Sequence, residues 1–380
     1  MAEVPWDMAK LSKPPKTYPA EGFTSKGVRA VFFEGLPLKG RPTRVFAWVG
    51  AAKRKTAEKV PGIVLVHGGA GTAFAQWVRQ WNARGYAAIA MDTCGRVPKP
   101  GKVEPGVRHR TAGPDGWGGF DQLDRPIGDQ WTYHAVADVI LAHSLLRSLP
   151  EVDKRRIGVM GISWGGYLTS IVSGVDHRFR FVVTVYGCGY LKDGSPIHTA
   201  RSRAMGKAKY DRWHALWDPS RFLPRCRTPT LWISGTNDLG FSMASRQRSY
   251  RAVPAASTLS IRVRWKHNYQ TPWASKEIAA YADSMVGRGV PLAKITCQGR
   301  TGPDVWVSFA SQRKIAKAQL CYTRDGGAWN QRRWLVKAAE LDPAGGKATA
   351  KLAAGAKLYY VNLIDDRGLV VSSEHVELPG

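Results

Sequence analysis

The fold of this chain is decided at Arg156-Ile157-Gly158-Val159-Met160-Gly161-Ile162-Ser163-Trp164-Gly165-Gly166. The apolar first half of this stretch predicts a buried strand, and the run that follows it, residues 167–172, predicts a helix. Between them, Gly161, Ser163 and Gly165 form the pattern Gly-x-Ser-x-Gly. This pattern is typical of a nucleophile elbow, a strained turn that presents a serine at the end of a strand and leaves no room for side chains beside it. The alternative is an ordinary strand-to-helix turn whose serine caps the helix.

The composition is that of a soluble globular protein. The chain has 380 residues, of which 44% are hydrophobic and 22% are charged, and this length predicts two domains. No apolar run reaches the length of a membrane span. The N-terminal residues do not form a signal peptide, so we expect either an exported protein whose leader is absent from this sequence or a cytoplasmic one.

The cysteines show neither metal-binding spacing nor a regular disulfide framework. There are five of them, at Cys94, Cys188, Cys226, Cys297 and Cys321. An odd number cannot pair completely within one chain. Buried free thiols are therefore the favoured interpretation, with Cys297 and Cys321 as the one candidate bridge.

The net charge is strongly positive. Lys and Arg number 56 against 29 Asp and Glu, which gives +27. Such a charge attracts polyanions to the surface. The basic residues are scattered along the chain, however, and no nucleic-acid-binding motif accompanies them. A solvated basic surface is the favoured interpretation, and a functional polyanion site stays open as the alternative.

The pattern of apolar runs predicts an α/β domain over residues 27–289, after an irregular lead-in at 1–26. Residues 28–34 and 43–49 predict an antiparallel pair. Apolar strands at 62–66 and 86–92 flank a helix at 74–84, which predicts a parallel β-α-β unit. Further strands are expected at 181–186, 230–235 and 259–263, with helices at 131–149 and 274–286. The sequence thus predicts a mostly parallel sheet flanked by helices.

Two long segments of this domain show no periodic spacing of apolar residues, and the sequence pattern changes after residue 289. The segment 93–128 is predicted to be a functional loop, and 190–224 a partly helical insertion over the site. From residue 290 to 380, short strands alternate with turns. They are expected at 305–309, 318–322, 347–352, 358–363 and 370–373. This spacing predicts a small β-sandwich of the immunoglobulin or fibronectin type III kind.

An acid and a base follow the elbow in the order that serine catalysis on such a sheet requires. A serine hydroxyl needs a base to accept its proton, and the base needs an acid to orient it. Asp238 comes directly after the strand at 230–235, and His267 directly after the next strand. Both therefore fall at the sheet edge where Ser163 is presented. Taken singly, Asp238 could be a turn residue and His267 a surface histidine.

The developing oxyanion needs two preorganised N–H donors. One is expected from the backbone of Trp164, the residue after the nucleophile. The other is expected from Gly69 or Ala70, in the stretch His67-Gly68-Gly69-Ala70-Gly71. A phosphate-binding loop is disfavoured here, because neither phosphate-loop spacing occurs.

Tryptophan is abundant, with 15 residues. Trp117, Trp131, Trp213 and Trp217 lie in loops or near predicted strand ends and are candidates for stacking on a sugar or aryl group. The alternative is that they pack the insertion onto the sheet. The sequence contains no metal-ligand set and no cofactor motif.

Together these motifs resemble the α/β-hydrolase superfamily, and within it the bacterial dienelactone hydrolases, acetylxylan esterases and prolyl-oligopeptidase-type serine hydrolases. The resemblance spans residues 25–288 and is carried by His67-Gly68-Gly69, by the elbow, by Gly235-Thr236-Asn237-Asp238 and by Lys266-His267. It implies a triad of Ser163, Asp238 and His267, an acyl-enzyme, and no cofactor or metal. Many relatives of this kind are exported and act on polysaccharide esters, which favours an absent leader here.

The chain departs from each branch of this superfamily. Dienelactone hydrolases use a cysteine nucleophile, where this chain has Ser163. The Arg-Gly-Gln motif of one acetylxylan esterase family is absent. Prolyl oligopeptidases carry a large propeller, whereas only 61 residues precede the strand predicted at 62–66. The reaction class is therefore better supported than any one substrate.

The sequence predicts a serine carboxylic-ester hydrolase, with acylated polysaccharide of the acetylxylan kind as the favoured substrate class. One alternative is a serine exopeptidase of the prolyl-oligopeptidase type, which needs a charged group to hold a peptide terminus. Another is a non-catalytic protein that binds glycan or another polyanion on a hydrolase scaffold. The C-terminal domain either binds glycan or braces the catalytic domain, and the oligomeric state is not predicted.

Overall fold

The computed structural model describes residues 4–52, 58–99 and 106–379. The strands of the N-terminal domain are Thr17–Pro19 (β1), Arg29–Glu34 (β2), Arg44–Gly50 (β3), Val60–Val66 (β4), Ala87–Met91 (β5), Arg96–Val97 (β6), Val107–Arg108 (β7), Val152–Ile162 (β8), Phe181–Val185 (β9), Thr230–Gly235 (β10) and Ser257–Arg262 (β11). Those of the C-terminal domain are Lys294–Thr301 (β12), Asp304–Ala310 (β13), Ile315–Thr323 (β14), Trp334–Asp342 (β15), Lys347–Lys351 (β16), Leu358–Asp365 (β17), Val370–Ser372 (β18) and Val376–Glu377 (β19).

Within the described residues, the α-helices all lie in the N-terminal domain or its lead-in. They are Met8–Leu11 (α1), Ala75–Ala83 (α2), Trp131–Ser148 (α3), Trp164–Ser173 (α4), Pro196–Met205 (α5), Lys207–Trp217 (α6), Met243–Ala252 (α7), Gln270–Trp273 (α8) and Lys276–Met285 (α9). Among the described residues, none of these helices has the length and apolar character needed to cross a bilayer.

A nine-stranded mixed sheet forms the centre of the N-terminal domain. Its order is β1-β2-β3-β5-β4-β8-β9-β10-β11. The first three strands and the β3–β5 pair are antiparallel, and the strands from β5 to β11 are parallel. Every residue of β5 and β9 is buried, because both faces of a parallel sheet are covered. The predicted mostly parallel sheet flanked by helices is confirmed.

The strand order reverses between β4 and β8. β4 leads through α2 to β5 on one side, and β8 leads through α4 to β9 on the other. Open α/β sheets bind ligands at the carboxyl ends of strands beside such a reversal. Since β8 ends at Ile162, the fold itself puts Ser163 at this position.

The expectation of an irregular lead-in over residues 1–26 is wrong in part. α1 lies in this segment, and β1 pairs with β2 at the edge of the sheet. Trp6 is buried, stacks on Tyr133 of α3 and donates its indole N–H to the Tyr133 carbonyl at 2.8 Å. These contacts depend on single anchoring residues rather than on a periodic pattern, so periodicity could not reveal them.

The segments 93–128 and 190–224, which show no periodic spacing of apolar residues, contain short strands and helices. β6 and β7 form a small antiparallel ribbon within 93–128, and residues 100–105 of that segment lie outside the described residues. The insertion at 190–224 contains α5 and α6, so it is helical as predicted. α7 was not predicted, because its sequence is polar and has no apolar stripe.

The C-terminal domain is one antiparallel sheet that curls over its own core. The order is β12-β13-β16-β15-β14-β17-β18, and β19 pairs with β17. β15 pairs with β14 through residues 334–339 and with β16 through residues 340–342. It therefore joins the strands β12, β13 and β16 to the strands β14, β17 and β18. Val307 of β13, Leu320 of β14 and Val361 of β17 belong to the same buried cluster. The predicted small β-domain is confirmed, and one sheet supplies both layers of the expected sandwich.

The C-terminal sheet packs against β11 and α7. Ile261 of β11 donates its N–H to the Ser372 hydroxyl at 2.7 Å and accepts the Asn362 amide at 3.1 Å. A second apolar cluster fills this contact and includes Cys321. Cys297 is exposed on β12, and all five cysteines are free. The candidate bridge is therefore wrong, because one of its sulfurs is buried at the domain contact and the other is exposed.

Candidate active site

Ser163 lies in a strained turn between β8 and α4. Its φ is 58° and its ψ is −118°, values that a non-glycine residue adopts only when its surroundings force them. Its N–H donates to the Val185 carbonyl of β9 at 2.9 Å. A Cβ on Gly161 would lie 2.1 Å from the Gly165 carbonyl oxygen, and one on Gly165 would lie 2.1 Å from that of Val66. The serine side chain makes no capping bond, so the helix-cap alternative is wrong and the turn has the geometry of an elbow.

Asp238 and His267 meet at the same sheet edge. Asp238 Oδ2 lies 2.8 Å from His267 Nδ1. Asp238 Oδ1 accepts the N–H groups of Gly240 and Phe241 at 2.9 and 2.8 Å. The Asp238 side chain is buried, and three hydrogen bonds on its two oxygens fix its position. The order and placement that the sequence predicts bring these two side chains into direct contact.

Two aromatic rings lie next to the imidazole of His267. Tyr186, the residue after β9, stacks on His267 with centroids 4.2 Å apart and donates its hydroxyl to the Lys266 carbonyl at 2.5 Å. Phe241 lies nearly parallel to His267 at 6.3 Å. Since close stacking on Tyr186 restricts rotation of the imidazole, the base is oriented by packing as well as by Asp238.

A buried arginine lies beneath the loop that carries Asp238. Arg246 of α7 donates to the carbonyls of Phe241 and Gly235, each at 2.8 Å. Burial alone would raise the pKa of Asp238, but the hydrogen bond from His267 and the positive charge of Arg246 outweigh it, so this pKa is lowered. Asp238 is therefore ionised at neutral pH and can stabilise a protonated His267.

His67 anchors the loop after β4 to Thr93, the second residue after β5. The N–H of Thr93 donates to His67 Nε2 at 3.0 Å, so the ring proton sits on Nδ1, which donates to the Gly68 carbonyl at 2.9 Å. A Cβ on Gly68 would lie 2.4 Å from the Ile162 carbonyl oxygen and 2.8 Å from Ser163 Cβ. Only glycine allows this approach, which brings the loop beside the serine.

Backbone N–H groups near Ser163 are available for an oxyanion. Trp164 is the first residue of α4, so its N–H has no intrahelical acceptor. In the described part of the chain, the N–H groups of Gly69 and Ala70 also make no hydrogen bond. A Cβ on Gly69 would lie 3.1 Å from Trp164 Cδ1, and Tyr269 donates its hydroxyl to the Gly69 carbonyl at 3.0 Å. The loop that carries Gly69 therefore contacts the Trp164 side chain and is anchored by Tyr269, and the oxyanion hole itself stays a prediction.

The Ser163 hydroxyl is not hydrogen-bonded to His267. Both side chains are partly exposed. No hydrogen bond links them within the ranges that the structure describes. Such bonds are often long in resting sites and tighten only with substrate present.

Three of the four predicted stacking tryptophans are buried. Trp131, Trp213 and Trp217 are at most 1% exposed. Their indole N–H groups donate to the Thr93 carbonyl at 2.7 Å, the Gly118 carbonyl at 2.6 Å and the Gln130 side chain at 2.7 Å. The expectation that these three contact substrate is wrong, since they pack the insertion and α3 together. Trp117 is partly exposed and lies 5.6 Å from the His67 ring, and its role stays a prediction.

The sequence did not single out Tyr186, Phe241 or Tyr269. Each lies close to a motif that was recognised: one directly after β9, one three residues after Asp238, and one two residues after His267. Their positions at the ends of strands were the available signal. Among the described residues, no cluster of His, Cys, Asp and Glu could hold a metal ion.

Comparison with known proteins yields a family match and structural neighbours. The acetyl xylan esterase (AXE1) family model matches residues 14–199, which include Ser163 and the loop after β4. No curated protein matches the chain in sequence. Acetyl xylan esterase from Paenibacillus sp. R4 has a similar structure, with a TM-score of 0.58 and 19% identity over 74% of this chain and 96% of that one. The chain has the fold of the α/β-hydrolase superfamily.

Two further solved structures support this α/β-hydrolase fold. Acetyl xylan esterase 1 from Thermoanaerobacterium sp. JW/SL YS485 has a TM-score of 0.55 and 17% identity, over 76% of this chain and 95% of that one. Pyrococcus horikoshii acylaminoacyl peptidase has a TM-score of 0.53 and 17% identity, over 68% of this chain and 42% of the peptidase. At these identities the neighbours show the fold alone. The esterase family match supports a serine ester hydrolase.

Proposed function

We propose that this protein is a serine carboxylic-ester hydrolase that removes acyl groups from carbohydrate. Ser163 is the nucleophile, His267 the general base and Asp238 the acid that orients it. The N–H of Trp164 and that of Gly69 or Ala70 form the oxyanion hole. The observation that carries the proposal is the Asp238–His267 hydrogen bond of 2.8 Å at the sheet edge where Ser163 is held at a φ of 58°.

Hydrolysis then follows two steps. The Ser163 hydroxyl attacks the ester carbonyl carbon while its proton passes to His267 Nε2, and the carbonyl oxygen becomes an oxyanion held by the N–H donors. Collapse of this intermediate breaks the bond to the alcohol, which leaves with the proton from His267. Water then attacks the acyl-serine with His267 again as base, which releases the acid and restores the hydroxyl.

The ionised state of Asp238 matters in both steps. His267 carries a positive charge each time it holds the serine or water proton. A carboxylate 2.8 Å from Nδ1 stabilises that charge and keeps Nε2 free to accept. Arg246 holds the loop carbonyls without contacting the imidazole, so its role is to position the acid.

Acylated polysaccharide is the substrate class that we propose, because the matched family is named for acetyl xylan esterase. The site is open at His267, whose side chain is 31% exposed, which suits a polymer better than a closed chamber would. A substrate of this kind lies outside the cell, so we also propose that the protein works there. Fractionation of its native host would test the location.

Ester and amide substrates separate the proposal from the exopeptidase alternative. Purified protein should release acetate from acetylated xylan and hydrolyse p-nitrophenyl acetate much faster than aminoacyl p-nitroanilides. A matched aminoacyl ester would control for the shape of the acyl group. Amide turnover that exceeds ester turnover would reject the esterase in favour of the peptidase.

A further inference from the structure

The insertion places a histidine and an arginine on one face of α5, next to the elbow. His198 and Arg201 are three residues apart in this helix, a spacing that puts side chains on the same side. His198 lies 6.1 Å from the ring of Trp164, the residue after the nucleophile. Neither side chain has a role in the proposed chemistry, so both need another explanation.

Arg201 is a partly buried cation that makes no ion pair within the described residues, although the negative charge of Asp121 acts on it through space. Its guanidinium carbon lies 4.3 Å from the centroid of Phe120. Its Nε atom is buried and makes no hydrogen bond in the described residues. Burial lowers the pKa of Arg201, although its charge is retained at neutral pH. A guanidinium withdrawn from water in this way is stabilised when a carboxylate pairs with it.

The acidic side chains nearby are engaged by other cations. Asp211 contacts Lys192 and Lys207, and Asp124 contacts Lys209. Asp121 lies 4.0 Å from Arg125. α5 and α6 together contain five basic residues and one acidic residue, the basic ones being Arg201, Arg203, Lys207, Lys209 and Arg212. The insertion thus presents positive charge near the elbow and supplies no carboxylate to Arg201.

His198 adds a neutral polar group beside this cation. It is 2% exposed, and its Nδ1 atom is buried without a partner in the described residues. Its ring lies 6.1 Å from Phe120, the same ring that Arg201 covers. Burial lowers the pKa of His198 to about 3, so it carries no charge that would compete with Arg201 for an anion.

Phe120 lies close both to Arg201 and His198 and to Trp164, the residue after Ser163. Its ring lies 5.8 Å from that of Trp164, and Trp164 directly follows Ser163. A ligand carboxylate bound to Arg201 would therefore be separated from Trp164 by the Phe120 ring. Trp164 is partly exposed, and its aromatic face suits the apolar face of a sugar better than the extended backbone of a peptide.

We propose that Arg201, assisted by His198, forms a subsite for a carboxylate of the substrate close to its ester. Accepting the proposed esterase function, on which this inference rests, the substrate class is an acylated acidic polysaccharide, in which a uronate carboxylate lies near the acylated position. The +27 net charge attracts such a polymer from solution.

Matched acetyl esters test this subsite. The kcat/KM for an acetylated methyl glucuronide is compared with that for the same ester of methyl glucoside, in the native protein and in Arg201→Gln. Arg201→Gln removes a hydrogen-bonded charge pair with the uronate. The ratio of kcat/KM for the uronide to kcat/KM for the glucoside should therefore fall about 10- to 100-fold in this variant. Arg203→Gln removes the same charge from an exposed position of the same helix and should change the ratio less than about twofold.

A second variant covers the event that Arg201→Gln does not fold. Arg201→Lys keeps the charge but loses the planar fork, so it should lower the same ratio by an intermediate factor. A hemisuccinate ester of methyl glucoside, which carries its carboxylate on the acyl group, tells which part of the substrate carries the anion. Preference for that ester over the uronide would overturn the uronate assignment.

The outcomes are distinct. If native protein hydrolyses the glucoside ester but shows no Arg201-dependent preference for the uronide, this inference is wrong while the esterase function stands. If it hydrolyses neither ester, the proposed function itself fails. If Arg201 instead governs cleavage of a peptide with a free carboxyl terminus, faster than either ester, the subsite belongs to a peptidase.

Discussion

Replacing Asp238 by Asn tests how the base is oriented. In Asp238→Asn, the amide oxygen should take the place of Oδ1, which accepts the N–H groups of Gly240 and Phe241 at 2.9 and 2.8 Å. The amide N–H₂ must then face His267 Nδ1, where Oδ2 now lies at 2.8 Å. An N–H cannot donate to another N–H, so the ring proton moves to Nε2. The base then presents a proton to Ser163 instead of a lone pair.

The expected loss follows from this wrong tautomer. Comparable changes in serine triads lower kcat about 10⁴-fold, which corresponds to about 5.5 kcal/mol of transition-state stabilisation. The fold should survive, because Asn has the same shape and keeps both loop hydrogen bonds. Loss of one charged hydrogen bond should lower the free energy of unfolding by about 1–3 kcal/mol.

The assay is kcat for p-nitrophenyl acetate together with urea unfolding. Asp176→Asn is a matched control, since buried Asp176 also bonds a histidine, with Oδ2 lying 2.9 Å from His143 Nδ1. It lies beyond the far end of α4, about 15 Å along the helix from the elbow. The control should lose stability but keep kcat within about threefold. A folded Asp238→Asn protein within about tenfold of native kcat would refute the role of Asp238.

Three further predictions concern the scaffold of the site. Gly68→Ala forces a Cβ to 2.4 Å from the Ile162 carbonyl oxygen, so it should abolish most ester turnover and lower the free energy of unfolding by about 1–3 kcal/mol; full activity in this variant would show that the loop does not hold the elbow. Asn237 donates to the carbonyls of Asn330 and Arg332 in the C-terminal domain at 3.2 and 2.8 Å. Asn237→Ala should therefore cost about 1–3 kcal/mol in urea unfolding and lower kcat by displacing the acid loop, and an unchanged kcat would limit that domain to a stabilising role. Burial lowers the pKa of His198 to about 3, so the stability it contributes is present above pH 6.5 and is lost as the pH falls toward 3, at about 1.4 kcal/mol per pH unit. His198→Phe should flatten the decline in the free energy of unfolding between pH 6.5 and 5, and equal slopes in the two proteins would contradict this.

The parts of the site that depend on strand ends could be predicted from the sequence. Apolar runs mark the strands of a sheet covered on both faces, and their carboxyl ends lie at one edge. That reasoning was sufficient to predict Ser163, Asp238 and His267 at one edge of the sheet, because each follows the end of a strand within five residues. It could also identify Gly68 and Gly69 as the loop beside the serine.

The parts that depend on packing between distant segments could not be predicted. The burial of Trp213 is set by Tyr167 of α4 and by the loop at 93–128, neither of which is near it in sequence. β12 and β15 were missed because they are largely exposed and carry polar residues in place of a strict alternation. α7 was missed because it buries Arg246 and serines against loop carbonyls, so its inner face is not apolar.

The C-terminal domain illustrates the same limit. Its sequence predicts strands, but only the structure shows the hydrogen bonds from Asn237 to the loop at 328–332. That loop lies next to the residue that carries the acid. Of the two roles that the sequence left open, bracing of the catalytic domain is the one for which the contacts supply a mechanism, and Asn237→Ala measures it.

Covalent labelling of Ser163 tests the central claim most directly. A fluorophosphonate probe reacts with a serine only when a base activates it and an oxyanion hole receives the phosphoryl oxygen. Native protein should be labelled stoichiometrically, with the adduct on the peptide that contains Ser163. Its ester turnover should fall in proportion to the fraction of protein labelled. Ser163→Ala should take up no label and show no turnover above background. Labelling or hydrolysis that persists in a folded Ser163→Ala protein would contradict the account.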